Sequence, residues 1–171
     1  MLTQHTYFNL DAYKNPATDK IWNHTLYMPY SERFLVGGDD AVPTGKIDKA
    51  APGSIDDFWS KPGMQIGHAS EAEGFSGHCG AGGQCEGYNG YWLIDNAPKD
   101  AVVVSLASEF SGIKADMKTD QVGVVIYTCN WFSGKDQALK TTQLGVEGRK
   151  NVTRSSCVAI EAQDYPDGVN R

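Results

Sequence analysis

A carboxylate set into an apolar, strand-like run is the first place where this sequence could do chemistry. In "CVAIEAQ" (157–163), Cys157, Ala159, Glu161 and Gln163 share one face, and Val158, Ile160 and Ala162 share the other. A carboxylate among such neighbours costs free energy unless it is paired, hydrogen-bonded or put to use. Glu161 is therefore a candidate for proton transfer, where a base shifted by its surroundings is an asset. Of the four histidines, His5 read alone is a hydrogen-bonded structural residue, and His24, His68 and His78 read as surface or loop positions.

Other chemistries lack their residues. The four cysteines, at 79, 85, 129 and 157, form no C-x2-C pair and the histidines no H-x3-H pair, so no metal site is expected. "HCGAGGQC" can close a small Cys79–Cys85 disulfide loop in an oxidising compartment. "CGAGGQ" lacks the Gly-Lys of a phosphate-binding loop and reads as a flexible loop at the rim of a cleft. Two N-x-[ST] sequons, at Asn23 and Asn151, tilt the reading towards an extracellular protein. Asp164 and Asp167, around "YPD", read as turn formers. Trp22, Trp92, Trp131 and Tyr127 could stack on a sugar ring, although strand aromatics are more often core.

The elements that must position these residues read as strands. "HTYFNL", "HTLYMPY", "GYWLI", "AVVVSLAS", "VGVVIYTCNWF" and "CVAIEAQ" are rich in β-branched and aromatic residues. Between them, "GGDDAVPTGK", "KAAPGS", "SKPG", "GFSGHCGAGG" and "FSGKDQ" carry the Gly, Pro, Asp and Ser of turns. No segment sustains helical periodicity for the roughly 10–12 residues a helix needs. The pattern predicts an all-β sandwich of antiparallel strands.

Composition bounds the partners. The 171 residues suit one domain with a sizeable core, and 40% hydrophobic content with 21% charged argues for a folded chain. A net charge of −6 argues against nucleic acid as a partner. No apolar run approaches the roughly 20 residues needed to span a bilayer, so no membrane partner is expected. "MLTQHTYFNL" has neither the basic start nor the apolar stretch of a signal peptide. Met1 sits almost directly on a strand-like run, and Arg171 follows "DYPDGVN" with no closing strand. We therefore expect an internal piece of a longer sandwich, prone to associate with another chain through unpaired edges.

Four segments, in this order and spacing, resemble the aldose 1-epimerase (galactose mutarotase) family: "LTQHTYFNLD", "DDAVPTGKI", "GVVIYTCNWF" and "AIEAQDYPDGVN". The resemblance covers essentially the whole chain. It implies that residues 1–171 are one domain, part of a large twisted antiparallel β-sandwich that is incomplete at both ends, with its site in an open cleft on one sheet face. By the same resemblance Glu161 is the catalytic base and His5 the catalytic acid in anomer interconversion of a monosaccharide. No metal, nucleotide or other cofactor is implied. Asn89 and Tyr127 are the implied substrate-binding residues.

Two positions depart from the family's pattern. Gly87-Tyr88-Asn89 stands where Gly-Tyr-Asp is usual, and Val125 stands where a glutamine is frequent. Asn89 can accept and donate hydrogen bonds but brings no charge. Two further readings keep the fold. One is a non-catalytic carbohydrate-binding protein. The other is a hexose-6-phosphate 1-epimerase, which needs clustered cations, whereas Arg33, Arg149 and Arg154 are scattered.

Overall fold

The computed structural model describes residues 3–80, 85–135, 137–144 and 148–170. Its strands are β1 (Tyr7–Phe8), β2 (Thr25–Tyr27), β3 (Arg33–Gly37), β4 (Pro43–Lys49), β5 (Met64–Gln65), β6 (Asn89–Leu93), β7 (Val104–Ala107), β8 (Lys114–Met117), β9 (Gly123–Tyr127) and β10 (Val158–Gln163). They form a six-stranded sheet, in the order β1-β10-β9-β6-β3-β4, and a four-stranded sheet, in the order β5-β2-β7-β8. Every pairing is antiparallel. The all-β expectation holds.

Each expected run holds most or all of a strand, and all but β6, which starts one residue before its run, are shorter than the run. β3, β4, β5 and β8 fall outside those runs, and β4 begins at Pro43, inside a stretch that reads as turn. β4, β5 and β8 are edge strands. An edge strand is bonded on one side only, tolerates proline and needs little apolar pattern.

The period of two decides what each face does. Val158 and Ile160 of β10, Val124 and Ile126 of β9 and Trp92 of β6 point between the sheets, where they meet Leu26, Met28, Val104 and Leu106. Burying each such aliphatic side chain contributes about 1.5–3 kcal/mol. The alternate residues, among them Glu161, Val125, Tyr127, Asn89 and Tyr91, face the other way. That outer face is the one available to a ligand.

Two disulfides use all four cysteines. Cys79–Cys85 closes the expected loop, with Cα atoms 6.0 Å apart. Residues 81–84 of that loop lie outside the described residues. Cys129–Cys157 joins the end of β9 to the start of β10, with both residues fully buried. Nothing local marks this second pair, which spans a sequence separation of 28. Replacing both cysteines with alanine is expected to lower stability by about 3–4 kcal/mol, the loop-closure entropy for that span. Urea denaturation measures it. A loss under about 1 kcal/mol would mean that strand pairing already constrains the unfolded loop.

Candidate active site

The β1–β10 register sets the site. Tyr7 lies opposite Ala159 and Phe8 opposite Val158, so the same register continued two residues outward sets His5 opposite Glu161. Thr3 Oγ1 donates to the Ala162 carbonyl at 3.0 Å, and Gln4 Nε2 donates to the Ile160 carbonyl. These bonds hold the His5 segment along β10. His5 Nε2 lies 3.2 Å from Glu161 Oε1. The histidine side chain is 47% exposed and the glutamate 11%. The carboxylate is thus sheltered while its partner faces solvent.

Burial raises the Glu161 pKa above the ordinary carboxylate range, and nearby His5 partly offsets this. A carboxylate with a raised pKa is a stronger base towards a proton of a bound ligand than a free carboxylate is. Aromatic rings wall the pair. The Tyr7 ring centroid is 4.9 Å from that of His5, Tyr127 is 6.4 Å from it, and Phe132 packs on Tyr7 at 5.3 Å. Burial raises the Tyr7 and Tyr127 pKa values as well, so both stay protonated around neutral pH.

A cleft of about 330 Å³ opens beside the pair, at the small end of the range for ligand sites. Its walls include Asn89, Tyr91, Val125 and Gln163. Val125 is the cross-strand neighbour of Glu161 and Tyr91 that of Val125, so the cleft lies across the sheet from the carboxylate. Neither His5 nor Glu161 is among the residues that line it. Pro166 closes one side, carried by the tail after β10, where Tyr165 packs on Tyr91 at 5.5 Å. Asp164 Oδ1 accepts from the Tyr165 amide at 2.8 Å, as a turn-forming aspartate should, and Asp167 lies in the same turn.

The expected site residues come together on one face. Asn89 pairs with Tyr127, Tyr127 with Ala159 and Ala159 with Tyr7, two residues along β10 from Glu161. Tyr127 is 9% exposed, and its hydroxyl accepts from the Trp131 amide at 3.4 Å. Its ring stacks on Trp131, which is 49% exposed. Of the three tryptophans weighed for stacking, Trp92 is core and Trp22 packs against the core, which leaves Trp131 beside the site.

Several positioning residues escape a reading by type and spacing. Asn9 Nδ2 donates to the Ser156 carbonyl at 2.8 Å, tying the chain after β1 to the segment before β10. His24 is buried rather than at the surface, and its Nε2 accepts from the Leu10 amide at 3.0 Å. Burial lowers its pKa, which keeps the ring neutral and able to accept. Thr128 Oγ1 accepts from the Tyr88 amide at 2.8 Å, and Asn130 Nδ2 donates to the Tyr88 carbonyl at 2.8 Å. Together they lock the residue before Asn89 to the end of β9. Gly87 makes room for this with φ +116°, since an added Cβ would collide with Thr128 Oγ1 and Asn130 Oδ1. A buried Asn, Thr or His can serve as a tether, but only the fold shows to what.

No group of three or more metal-ligating side chains is found among the described residues. The arrangement is a sheltered carboxylate paired with an exposed imidazole, walled by aromatic rings.

Comparison with known proteins places this geometry. The family profile for aldose 1-epimerase matches residues 1–171. A probable aldose 1-epimerase of Arthroderma benhamiae is 27% identical over 188 residues, covering 99% of this chain and 41% of that protein. Epimerase FSL3 of Gibberella zeae is 27% identical over 191 residues, covering 99% of this chain and 42% of that protein. Among solved structures, a GalM/aldose epimerase homologue from C. elegans superposes with a TM-score of 0.65 at 22% identity, covering 94% of this chain and 40% of that one. A galactose 1-epimerase from Lactobacillus acidophilus gives 0.67 at 19% identity, covering 96% and 40%. The chain thus spans about two fifths of the length of these relatives.

Proposed function

The chain belongs to the aldose 1-epimerase family, and from that premise we propose that its His5–Glu161 pair interconverts the α and β anomers of a free hexose such as glucose or galactose. The observation that carries the proposal is the 3.2 Å approach of His5 Nε2 to the sheltered Glu161 carboxylate. Glu161 removes the proton from the C1 hydroxyl while protonated His5 delivers one to the ring oxygen. The C1–O5 bond breaks as the C1 carbonyl forms, and the aldehyde turns about C1–C2. Closure on the other carbonyl face returns both protons and yields the opposite anomer. Asn89 and Tyr127 serve as substrate-binding residues, the first by hydrogen bonding and the second as an aromatic wall.

Mutarotation of α-galactose and α-glucose, followed by polarimetry on the full-length protein, tests the proposal. The expected result is equilibration well above the spontaneous rate. An unchanged rate together with saturable sugar binding would favour the carbohydrate-binding reading instead. The 6-phosphate reading has a separate test. The cleft side chains include Asp56 and, among the described residues, no lysine or arginine. A phosphorylated hexose would therefore bring its dianion towards a carboxylate without a clamp. Free glucose is expected to react at least about tenfold faster, in kcat/KM, than glucose 6-phosphate, a gap of about 1.4 kcal/mol. Equal or reversed preference would overturn that assignment.

A further inference from the structure

The cleft has a wall that the strands do not supply. β3 and β6 pair only at Phe34–Trp92 and Leu35–Tyr91, and β3 is irregular between Leu35 and Gly37. Past that point the strands part, and Asp56 and His78, from two loops, line the opening together with Gly37, Gly90 and Asn89. His78 Nε2 lies 2.8 Å from Asp56 Oδ1. Their side chains keep 26% and 12% exposure respectively, so the pair is sheltered but reachable.

Both partners are held firmly. Trp92 Nε1 donates to the Asp56 carbonyl at 3.1 Å, from within the core. His78 sits edge-on to Tyr88, with ring centroids 6.0 Å apart, and the Tyr88 hydroxyl donates to the Ile55 carbonyl at 3.0 Å. The next residue, Cys79, is bonded to Cys85, and the Gly77 amide donates to the Cys85 carbonyl at 2.8 Å. Gly80 packs against Ala41 of the β3–β4 turn. A group fixed this way loses little entropy when a ligand arrives.

A pyranose presents several hydroxyls, and each needs a partner once it leaves water. On the strand side of the cleft, Asn89, Tyr91 and Gln163 offer polar groups for some of these hydroxyls, and Leu35, Val125, Gly37 and Gly90 offer none. We propose that the Asp56–His78 pair is a hydroxyl-binding element of this cleft, taking a ring hydroxyl of a neutral pyranose away from the anomeric carbon. The inference rests on the cleft being the sugar site of the epimerase reading. It adds a specificity-determining pair from the two loops to the acid and base on the strands. With Nε2 held by Asp56, the imidazole leaves Nδ1 to accept from a hydroxyl, and Asp56 disfavours an anionic sugar.

A binding cycle on the full-length protein tests this by calorimetry with galactose, glucose and their monodeoxy analogues. His78→Ala is expected to weaken the parent sugars about tenfold, the scale of one lost hydrogen bond. One monodeoxy analogue should bind the unaltered protein about tenfold more weakly and lose nothing further in His78→Ala. Asp56→Asn, which keeps the volume, should weaken the same sugars at the same hydroxyl. If His78→Ala does not fold, His78→Asn carries the same cycle. Parent-sugar affinity unchanged in the folded variant, an equal loss across every analogue, or no monosaccharide binding by the unaltered protein would overturn the proposal. Binding is read without turnover. Absent mutarotation with the cycle intact would therefore sink the epimerase reading alone.

Discussion

Glu161→Gln is expected to cut kcat for mutarotation by about 10²- to 10⁴-fold while sugar affinity stays within a few-fold. The amide keeps the shape of the side chain and loses its basicity, so the C1 proton has no acceptor. The substitution should not unfold the protein, and the sign of the Glu161 pKa says why. Burial raises that pKa in the folded state. The folded state therefore favours the neutral carboxyl, and stability is lost as pH rises through the raised value. A permanently neutral glutamine avoids that loss. The variant should melt at or above the temperature of the unaltered protein at neutral pH and match it in acid. Calorimetric melts and saturation kinetics check both halves. Retention of more than about a tenth of the rate would remove Glu161 from the mechanism, because a positioned base is worth 10²-fold or more.

His5→Asn carries the second large effect, a fall in kcat of about 10²-fold with a shift of the pH profile. In the unaltered protein the rate should drop on the acid side as Glu161 takes up a proton. Because burial raises its pKa, that drop should begin at a higher pH than for a free carboxylate. Removing His5 should move the acid limb further upward, since His5 supplies the interaction that lowers the Glu161 pKa. A profile flat from about pH 4 to 9 would show that Glu161 does not titrate in turnover. An acid limb left in place by His5→Asn would show that the two side chains are not paired in solution.

Much of this site was legible without coordinates. The period of two in "CVAIEAQ" shows that Glu161 leaves the core-facing row of Val158 and Ile160, and a carboxylate in that setting needs a purpose. The motifs around His5 and Glu161 then pointed to an acid and a base before any distance was known. The runs that hold inner strands β6, β9 and β10 also stood out, because strands flanked on both sides carry many β-branched and aromatic residues. Inner strand β3 did not stand out, and neither did edge strands β4, β5 and β8. Half of an edge strand's bonds go unmade within the sheet, and its side chains meet water, so polarity and proline are tolerated there.

Pairing across distance is what the linear order cannot express. His5 and Glu161 are brought within 3.2 Å by a register that joins β1 to β10. Cys129 meets Cys157 because β9 and β10 are neighbours, and no local spacing announces that bond. Asp56 and His78 lie on separate loops, and they meet where β3 and β6 part. His24 looked like a loop residue and became a buried tether, since its role depends on the one backbone amide it faces. Residue type and period determined the fold class, because it is a property of strands and their two faces, whereas the proposed acid and base came only from the resemblance of the motifs around them. Which groups touch, and what walls the cleft, was decided by tertiary structure. A hydrogen bond or ion pair holds only within about an ångström of its proper length, and only the packed sheets set distances that finely.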